Sequence, residues 1–393
     1  MNDQTRIMQF SAAGNHSAAG ISVGLDELSK GRAAFAKLLV PELDTDGIPP
    51  FGSFRDAYTF FTGDPEINGV FKPEKVSAGL RACMGFNSAS FSYGLQNALR
   101  MYVSKIYKTF PYHEDKLISE KKKANDFRLI HSVQLGYFGD LPNSDPETAD
   151  WSDIGSYEDS EAQYRVGQKG AIVWVTRRHI INDSIDLIKN MCDRLARAAR
   201  MTHAKYVWNF YIQNALCPDG TAWFTADHGN LGVNALSVSS LITGLTALAN
   251  MEEPGSGEKL GIDFASFNWH LVVPIALWDL GARVNQTKSY FSSDDLTAKI
   301  PSAVYRLFGG GNERIVVCPF LSDANDWGIL RDVGDVPIVE MGYLNGLSEP
   351  ELIIAKGPKD NQVLAADKIG YKIRHEYGGT LAGYQGGYKS VVT

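Results

Sequence analysis

The chain has 393 residues, 44% of them hydrophobic and 21% charged, with a formal net charge of -7. This is globular composition, outside the disordered class, and the length exceeds one ordinary core, so two or more cores are expected. The acidic balance argues against a dedicated nucleic-acid binder, whose affinity rests on basic groups that displace counterions from phosphates. It does not argue against a wall around DNA that something else forces inside.

Cys83, Cys192, Cys217 and Cys318 lie far apart without a CxxC pair, so neither zinc nor any other cofactor is expected. Scattered cysteines fit a reducing compartment. The first residues lack a charged-then-apolar leader pattern, and no apolar run nears the ~18–20 residues that span a bilayer. A soluble chain without a membrane partner is the expectation.

Residues 1–75 are rich in Gly, Ala, Ser and Pro, with a breaker cluster at 44–50 (DTDGIPP), and suit an arm better than a core. From Ser90, Phe91, Leu95, Leu99, Tyr102, Val103 and Ile106 recur at helical spacing until Pro111. A connector ends in Lys121, Lys122 and Lys123, a charge run expected to be solvated. Residues 132–137 (SVQLGY) alternate like a half-buried strand. Residues 139–161 then hold eight acids and no base: Asp140, Asp145, Glu147, Asp150, Asp153, Glu158, Asp159 and Glu161. A second strand follows at 171–176 (AIVWVT). Two strands around this acidic excursion suggest a hairpin-like loop leaving the body, and so long a loop is uncommon in a compact domain unless it has a task.

Asn182 or Asp183 is placed to cap a helix running to about Asn214, stopped by 218–220 (PDG). Its length would be roughly 50 Å, against a mean globular helix of ~11–12 residues. Ile188, Met191, Leu195, Ala198, Thr202 and Tyr206 are its expected buried stripe. Arg194, Arg197 and Arg200 recur on it every three residues, either as a solvated face or as a dock for an acidic partner. A second helix is expected over 236–251, then alternating strands and helices (270–273, a helix from Pro274, 315–318, 336–341), then closing strands at 371–377 and 388–392. The class is α+β.

Catalytic signals are few. Residues 224–230 (FTADHGN) contain the pair Asp227 and His228, which suits a hydrolase only with a nucleophile packed beside it. The plainer reading is a polar turn that ties down backbone groups. GISVG at 20–24 spells a nucleophile elbow without the strand such an elbow needs. FGGGN at 308–312 lacks the Lys-Ser/Thr of a phosphate loop and reads as a flexible loop hinge. No catalytic, cofactor or metal residue is assigned. A loose arm, a projecting loop and an over-long helix need a partner, and the simplest is another copy of the chain.

This set of parts, in this order, resembles the major capsid proteins of tailed phages with the Hong Kong ninety-seven fold. The resemblance is carried by 53–69 (SFRDAYTFFTGDPEING), similar to a subfamily related to fusions of head protease and capsid protein. Further strings are 139–142 (GDLP), Tyr157, 163–183 (QYRVGQKGAIVWVTRRHIIND), 224–230 with 236–241 (LSVSSL), 270–274 (HLVVP), 343–346 (YLNG) and 372–379 (KIRHEYGG). It covers about residues 53–393. It implies an N-terminal arm (1–80), a peripheral domain (81–127, and 169–234 with a spine helix at 182–214), an extended β-hairpin loop (128–168), an axial α/β domain (235–364) and peripheral C-terminal strands (365–393).

The resemblance further implies hexamers and pentamers closing an icosahedral shell around double-stranded DNA, without sequence-specific contact. The shell would be part of the virion, assembled in the host cytoplasm with a scaffold, a head protease, a portal and sometimes a decoration protein. An encapsulin-type compartment would share the fold. Some relatives cross-link subunits through a loop lysine, but no lysine lies between Ala124 and Gln168 here. The expected assembly contacts are Asp145, Glu147, Asp150 and Asp153, with Trp151 and Tyr157 as apolar anchors, meeting Arg194, Arg197 and Arg200 or the lysine run on a neighbour.

Overall fold

The computed structural model describes residues 22–45, 47–62, 89–134, 160–176, 185–252, 259–260, 268–291, 299–334, 336–354 and 368–392. In chain order the helices are α1 (Ser22–Leu39), α2 (Phe54–Thr62), α3 (Ala89–Thr109), α4 (Ile185–Ile212), α5 (Val238–Ala249) and α6 (Trp278–Gln286). The strands are β1 (Ile118–Ala124), β2 (Leu129–Gln134), β3 (Ser160–Arg165), β4 (Gly167–Thr176), β5 (Leu231–Gly232), β6 (His270–Val273), β7 (Ser289–Phe291) and β8 (Lys299–Pro301). They continue with β9 (Ile315–Val317), β10 (Trp327–Leu330), β11 (Val339–Leu344), β12 (Glu351–Ile354), β13 (Lys368–Leu381) and β14 (Gly387–Ser390). The described residues fall into two compact units. The first draws on 1–109, 170–197 and 350–374, the second on 110–169, 198–349 and 375–393. Among the described residues no helix is long and apolar enough to cross a membrane.

In the first unit α1 and α2 pack on α3. This departs from the loose segment expected before residue 75. Phe35, Leu39, Phe61, Leu99 and Val103 are buried, and Phe35, Phe51, Phe60 and Phe61 form an aromatic cluster with rings 5.2–6.5 Å apart. Phe35 and Phe61, buried among these rings, compensate for small-residue composition, since a fully buried ring stabilises by roughly 1.5–3 kcal/mol. The strand β12 pairs antiparallel with β13, setting Glu351 opposite Arg374, and their side chains bond at 2.8 Å.

The second unit has two cores, and strand periodicity explains why. The sheet β5-β14-β10-β6-β9 is buried on both faces, so successive residues point to different interiors. On one face lie Leu271, Val273, Ile315, Trp327 and Ile329, against α5 residues Leu241, Leu245 and Leu248. On the other lie Val272, Val316 and Leu330, with Trp208, Tyr211 and Trp223. Ser237 caps α5 by accepting from the Ser240 N–H, while the Ser240 hydroxyl accepts from the Ser237 N–H, a reciprocal cap that fixes the helix start.

The long helix is α4, 28 residues and about 42 Å at 1.5 Å per residue. Its expected cap at Asn182 or Asp183 lies outside the described residues. Asn214, rather than the 218–220 turn, closes it: Asn214 is left-handed at φ 49°, and its side chain accepts from the Phe224 N–H and donates to the Phe224 carbonyl oxygen. Asn tolerates that conformation and so ends helices. The buried face also differs from the expected stripe. Ala198 and Thr202 are exposed, whereas Ala204, Val207, Trp208 and Tyr211 are buried, the 3.6-residue spacing that the aromatic residues dictate.

The strand expected at 171–176 is present within β4, but among the described residues it does not pair with the strand expected at 132–137, of which 135–137 lie outside them. Instead β2 pairs antiparallel with β3, Leu129 opposite Arg165 through Gln134 opposite Ser160, and β4 pairs with β13. The returning strand (SEAQYR) is too polar to announce itself. Among its described side chains Ala162 and Tyr164 are the buried ones.

Candidate assembly elements

The hairpin β2–β3 brackets residues 135–159 and is a two-stranded sheet of its own. At its base sits Glu340 of β11, only 2% exposed. Tyr164 of β3 donates its hydroxyl to Glu340 Oε1 at 2.8 Å. Lys122 of β1 donates to Oε2 at 2.8 Å, and the Ser132 hydroxyl of β2 donates to the same oxygen. Lys122 Nζ also reaches Ser132 Oγ at 3.1 Å. A carboxylate taken out of water costs several kcal/mol unless its lone pairs are answered, and here donors from three strands answer it. Burial works to lower the Lys122 pKa, but the hydrogen bond and charge of Glu340 more than reverse this and hold the ammonium above its usual range. Burial and the Glu340 hydrogen bond together raise Tyr164, keeping the phenol protonated.

The lysine run is therefore not uniformly solvated. Lys121 and Lys123 are exposed, while Lys122 between them turns inward, because a strand alternates its side chains. The inner face of β2 likewise carries a polar side chain, Ser132, which is buried; residues 135–137 of the expected strand lie outside the described residues.

The three arginines separate in the same way. Arg194 and Arg197 are exposed. Arg200 is half-buried; it forms an ion pair with Glu114 and donates Nε–H to the Phe110 carbonyl oxygen at 3.2 Å. A three-residue step falls about 60° short of a full helical turn, so a three-fold recurrence wraps around the helix instead of lining one side. Arg200 thus belongs to a buried network with Glu114, while Arg194 and Arg197 stay on the surface. Its partner Glu114 is 1% exposed and also accepts from His203 Nδ1 at 3.2 Å. His203 Nε2 lies 2.9 Å from the Tyr343 hydroxyl. Asp145, Glu147, Asp150, Trp151, Asp153 and Tyr157 lie outside the described residues.

The enzyme-like string folds as a turn. His228 Nδ1 lies 3.0 Å from the Trp223 carbonyl oxygen and Nε2 lies 2.8 Å from Asp219. Its ring stacks on Tyr384 at 3.9 Å. Asn230 is buried; it accepts from the Thr225 N–H and donates to the Trp223 and Gly387 carbonyl oxygens. Asp227 is exposed and is not the residue that orients the imidazole; Asp219 is. The FGGGN loop is pinned and does not read as a hinge. Buried Asn285 accepts from the Phe308 N–H and donates to the Gly309 carbonyl oxygen and Asn312, and Glu313 accepts from the Gly311 N–H. Among the described residues no group of three His, Cys, Asp or Glu is placed to hold a metal ion. A cleft lined by Asp115, Lys116, Asn268, His270, Arg314 and Asp332 sets two acids against two bases.

Sequence reasoning missed Glu340, Tyr164, Ser132, Glu114 and His203. One signal was present for Glu340: it is the sole charge within 336–344 (VPIVEMGYL), and a lone acid in a buried strand needs a buried partner.

These elements define a subunit whose distinctive features are a rod, a clamped hairpin and a two-faced sheet. A family described as phage capsid protein matches residues 160–390, from the returning strand of the hairpin to the last strand. The chain belongs to this family, and it is a capsid shell protein. No curated protein matches the sequence. Among solved structures, the capsid of a native GTA particle is similar at 11% identity and TM-score 0.44, over 72% of this chain and 90% of that one. Mycobacterium phage Patience gives 12% identity and TM-score 0.45 over 76% and 87%. A phage-related protein from Bordetella bronchiseptica RB50 gives 16% and 0.41 over 73% and 94%.

Proposed function

We propose that the chain is the major head protein of a tailed phage, assembling as hexamers and pentamers into an icosahedral shell around double-stranded DNA. The observation that carries this reading is the family match, which extends over the spine helix and both cores of the second unit. The subunit acts by self-association and performs no catalysis; the turn at 224–230 holds backbone. In this reading residues 1–80 are the arm, 128–168 the extended loop of a Hong Kong ninety-seven-type subunit, 235–364 its axial domain, and 81–127, 169–234 and 365–393 its peripheral domain. Assembly takes place in the host cytoplasm with a scaffold, a head protease, a portal and, where the head carries one, a decoration protein.

Contacts between copies follow from charge. The loop acids Asp145, Glu147, Asp150 and Asp153 lie on a neighbouring subunit and face its Arg194 and Arg197, with Trp151 and Tyr157 as apolar anchors. The exposure of those two arginines supports this pairing. Each exposed ion pair contributes only ~0–1 kcal/mol, so the charges set register while the aromatic residues supply affinity. Expression of the full chain with a scaffold, followed by electron microscopy, tests the reading: closed shells are expected, and monomers or dimers under every condition would defeat it.

A further inference from the structure

An isolated two-stranded hairpin is marginally stable in water, so β2–β3 needs an attachment to hold one orientation. Its described side-chain attachment converges on Glu340. Ser132 comes from one strand of the hairpin, Tyr164 from the other, and Lys122 from β1, the strand before it. Gly342, two residues along β11 and on the same face, completes the seat: a Cβ there would lie 2.6 Å from the Tyr164 ring. A ring cannot bend away as a flexible chain can, so glycine is what lets the Tyr164 hydroxyl reach the carboxylate. The rim pair His131 and Glu161 ties the strands only to each other.

We propose that Glu340 is a positioning residue for assembly: its buried carboxylate clamps both strands of the hairpin to the body and sets the angle at which the hairpin is presented to a neighbouring subunit. The clamp rests on the capsid reading for its purpose but not for its existence. A charge is required because one carboxylate can accept from three donors at once, whereas an amide offers one acceptor atom and turns a donor toward donors. The body holds the acceptor, and each part of the hairpin brings one donor, so the hairpin docks as a unit.

The test compares the full wild-type chain with Glu340→Gln by hydrogen-exchange mass spectrometry before assembly, then by shell yield after it. The clamp predicts that amides of 129–134 and 160–165 exchange roughly tenfold faster or more in the variant, with 270–273 and 327–330 unchanged, and that closed shells become fewer or uneven in size. Unchanged hairpin exchange would overturn the clamp, and faster exchange with normal shells would overturn its role in assembly. If 270–273 also loosens in the variant, Tyr164→Phe, which removes a single hydroxyl, replaces it. A rise of a few-fold confined to the hairpin then supports the clamp, and no rise defeats it. A wild-type chain that never forms shells would defeat the capsid reading while leaving the exchange comparison to decide the clamp.

Discussion

His203 and His375 stack inside the second unit, with ring centroids 5.5 Å apart and planes 25° apart. Both are buried. His375 donates Nε2–H to the Ser348 carbonyl oxygen at 3.1 Å, and burial, with His203 and Arg200 adding, pushes it down to about 3. Burial likewise holds His203 below its usual value, against the pull of Glu114 and helped by Arg200 and Lys121. Neutral rings satisfy the geometry: His203 Nδ1–H donates to Glu114, and Nε2 accepts from Tyr343.

The sign of the pH dependence follows. Below about pH 6.5 the unfolded histidines take up protons that the folded ones refuse. The stability they contribute is complete above that pH and is lost as pH falls toward the folded value. For His375 the loss is on the order of 2 kcal/mol by roughly pH 5. Urea midpoints of the unassembled chain should fall from about pH 7 to 5, and the fall should be shallower in His375→Gln. Parallel curves for the two proteins would contradict this assignment.

Arg200 neutralises a carboxylate that solvent does not reach. Arg200→Ala should destabilise the unassembled chain by about 3–5 kcal/mol, the cost of leaving one buried charge unpaired. Arg194→Ala, at an exposed position of the same helix, should change it by less than about 0.5 kcal/mol. Denaturant unfolding of the two variants side by side checks the contrast, and equal effects would show that the arginines are equivalent after all.

His228→Ala removes the stack on Tyr384 and the bonds to Trp223 and Asp219. A loss of roughly 1–3 kcal/mol is expected, visible as a lower unfolding midpoint. A turnover present in the wild-type chain and abolished in this variant would restore the hydrolase reading.

Replacing Asp145, Glu147, Asp150 and Asp153 with Asn or Gln should lower shell yield while the unassembled chain keeps its circular dichroism spectrum and unfolding midpoint. The same loss should follow from Arg194→Glu with Arg197→Glu. Full yield of normal shells from either variant would remove the loop-to-neighbour pairing.

Local periodicity was legible. The rod appeared because Leu195 and Tyr206 recur at helical spacing over a stretch free of breakers, and HLVV and IVVC read as strands because they are short and apolar. Partnerships across long separations were not. Ser132 and Glu340 are 208 residues apart, and nothing local to either marks the bond. Lys122 sat within a run whose charge concealed the two-residue alternation that turns it inward. Spacing by three makes Arg200 look equivalent to Arg194 in the sequence, but 3.6 residues per turn rotates it toward Glu114. The polar strand β3 carries little local signal, because Tyr164 meets its buried acceptor Glu340 only in the fold.

The central claim is that this chain builds a closed shell from copies of itself. Electron microscopy of the full chain, expressed with and without a scaffold and paired with sedimentation, measures this directly. The account predicts uniform hollow particles of many megadaltons, on the order of hundreds of subunits in closed symmetry. Monomers or dimers alone, across all assembly conditions, would contradict it.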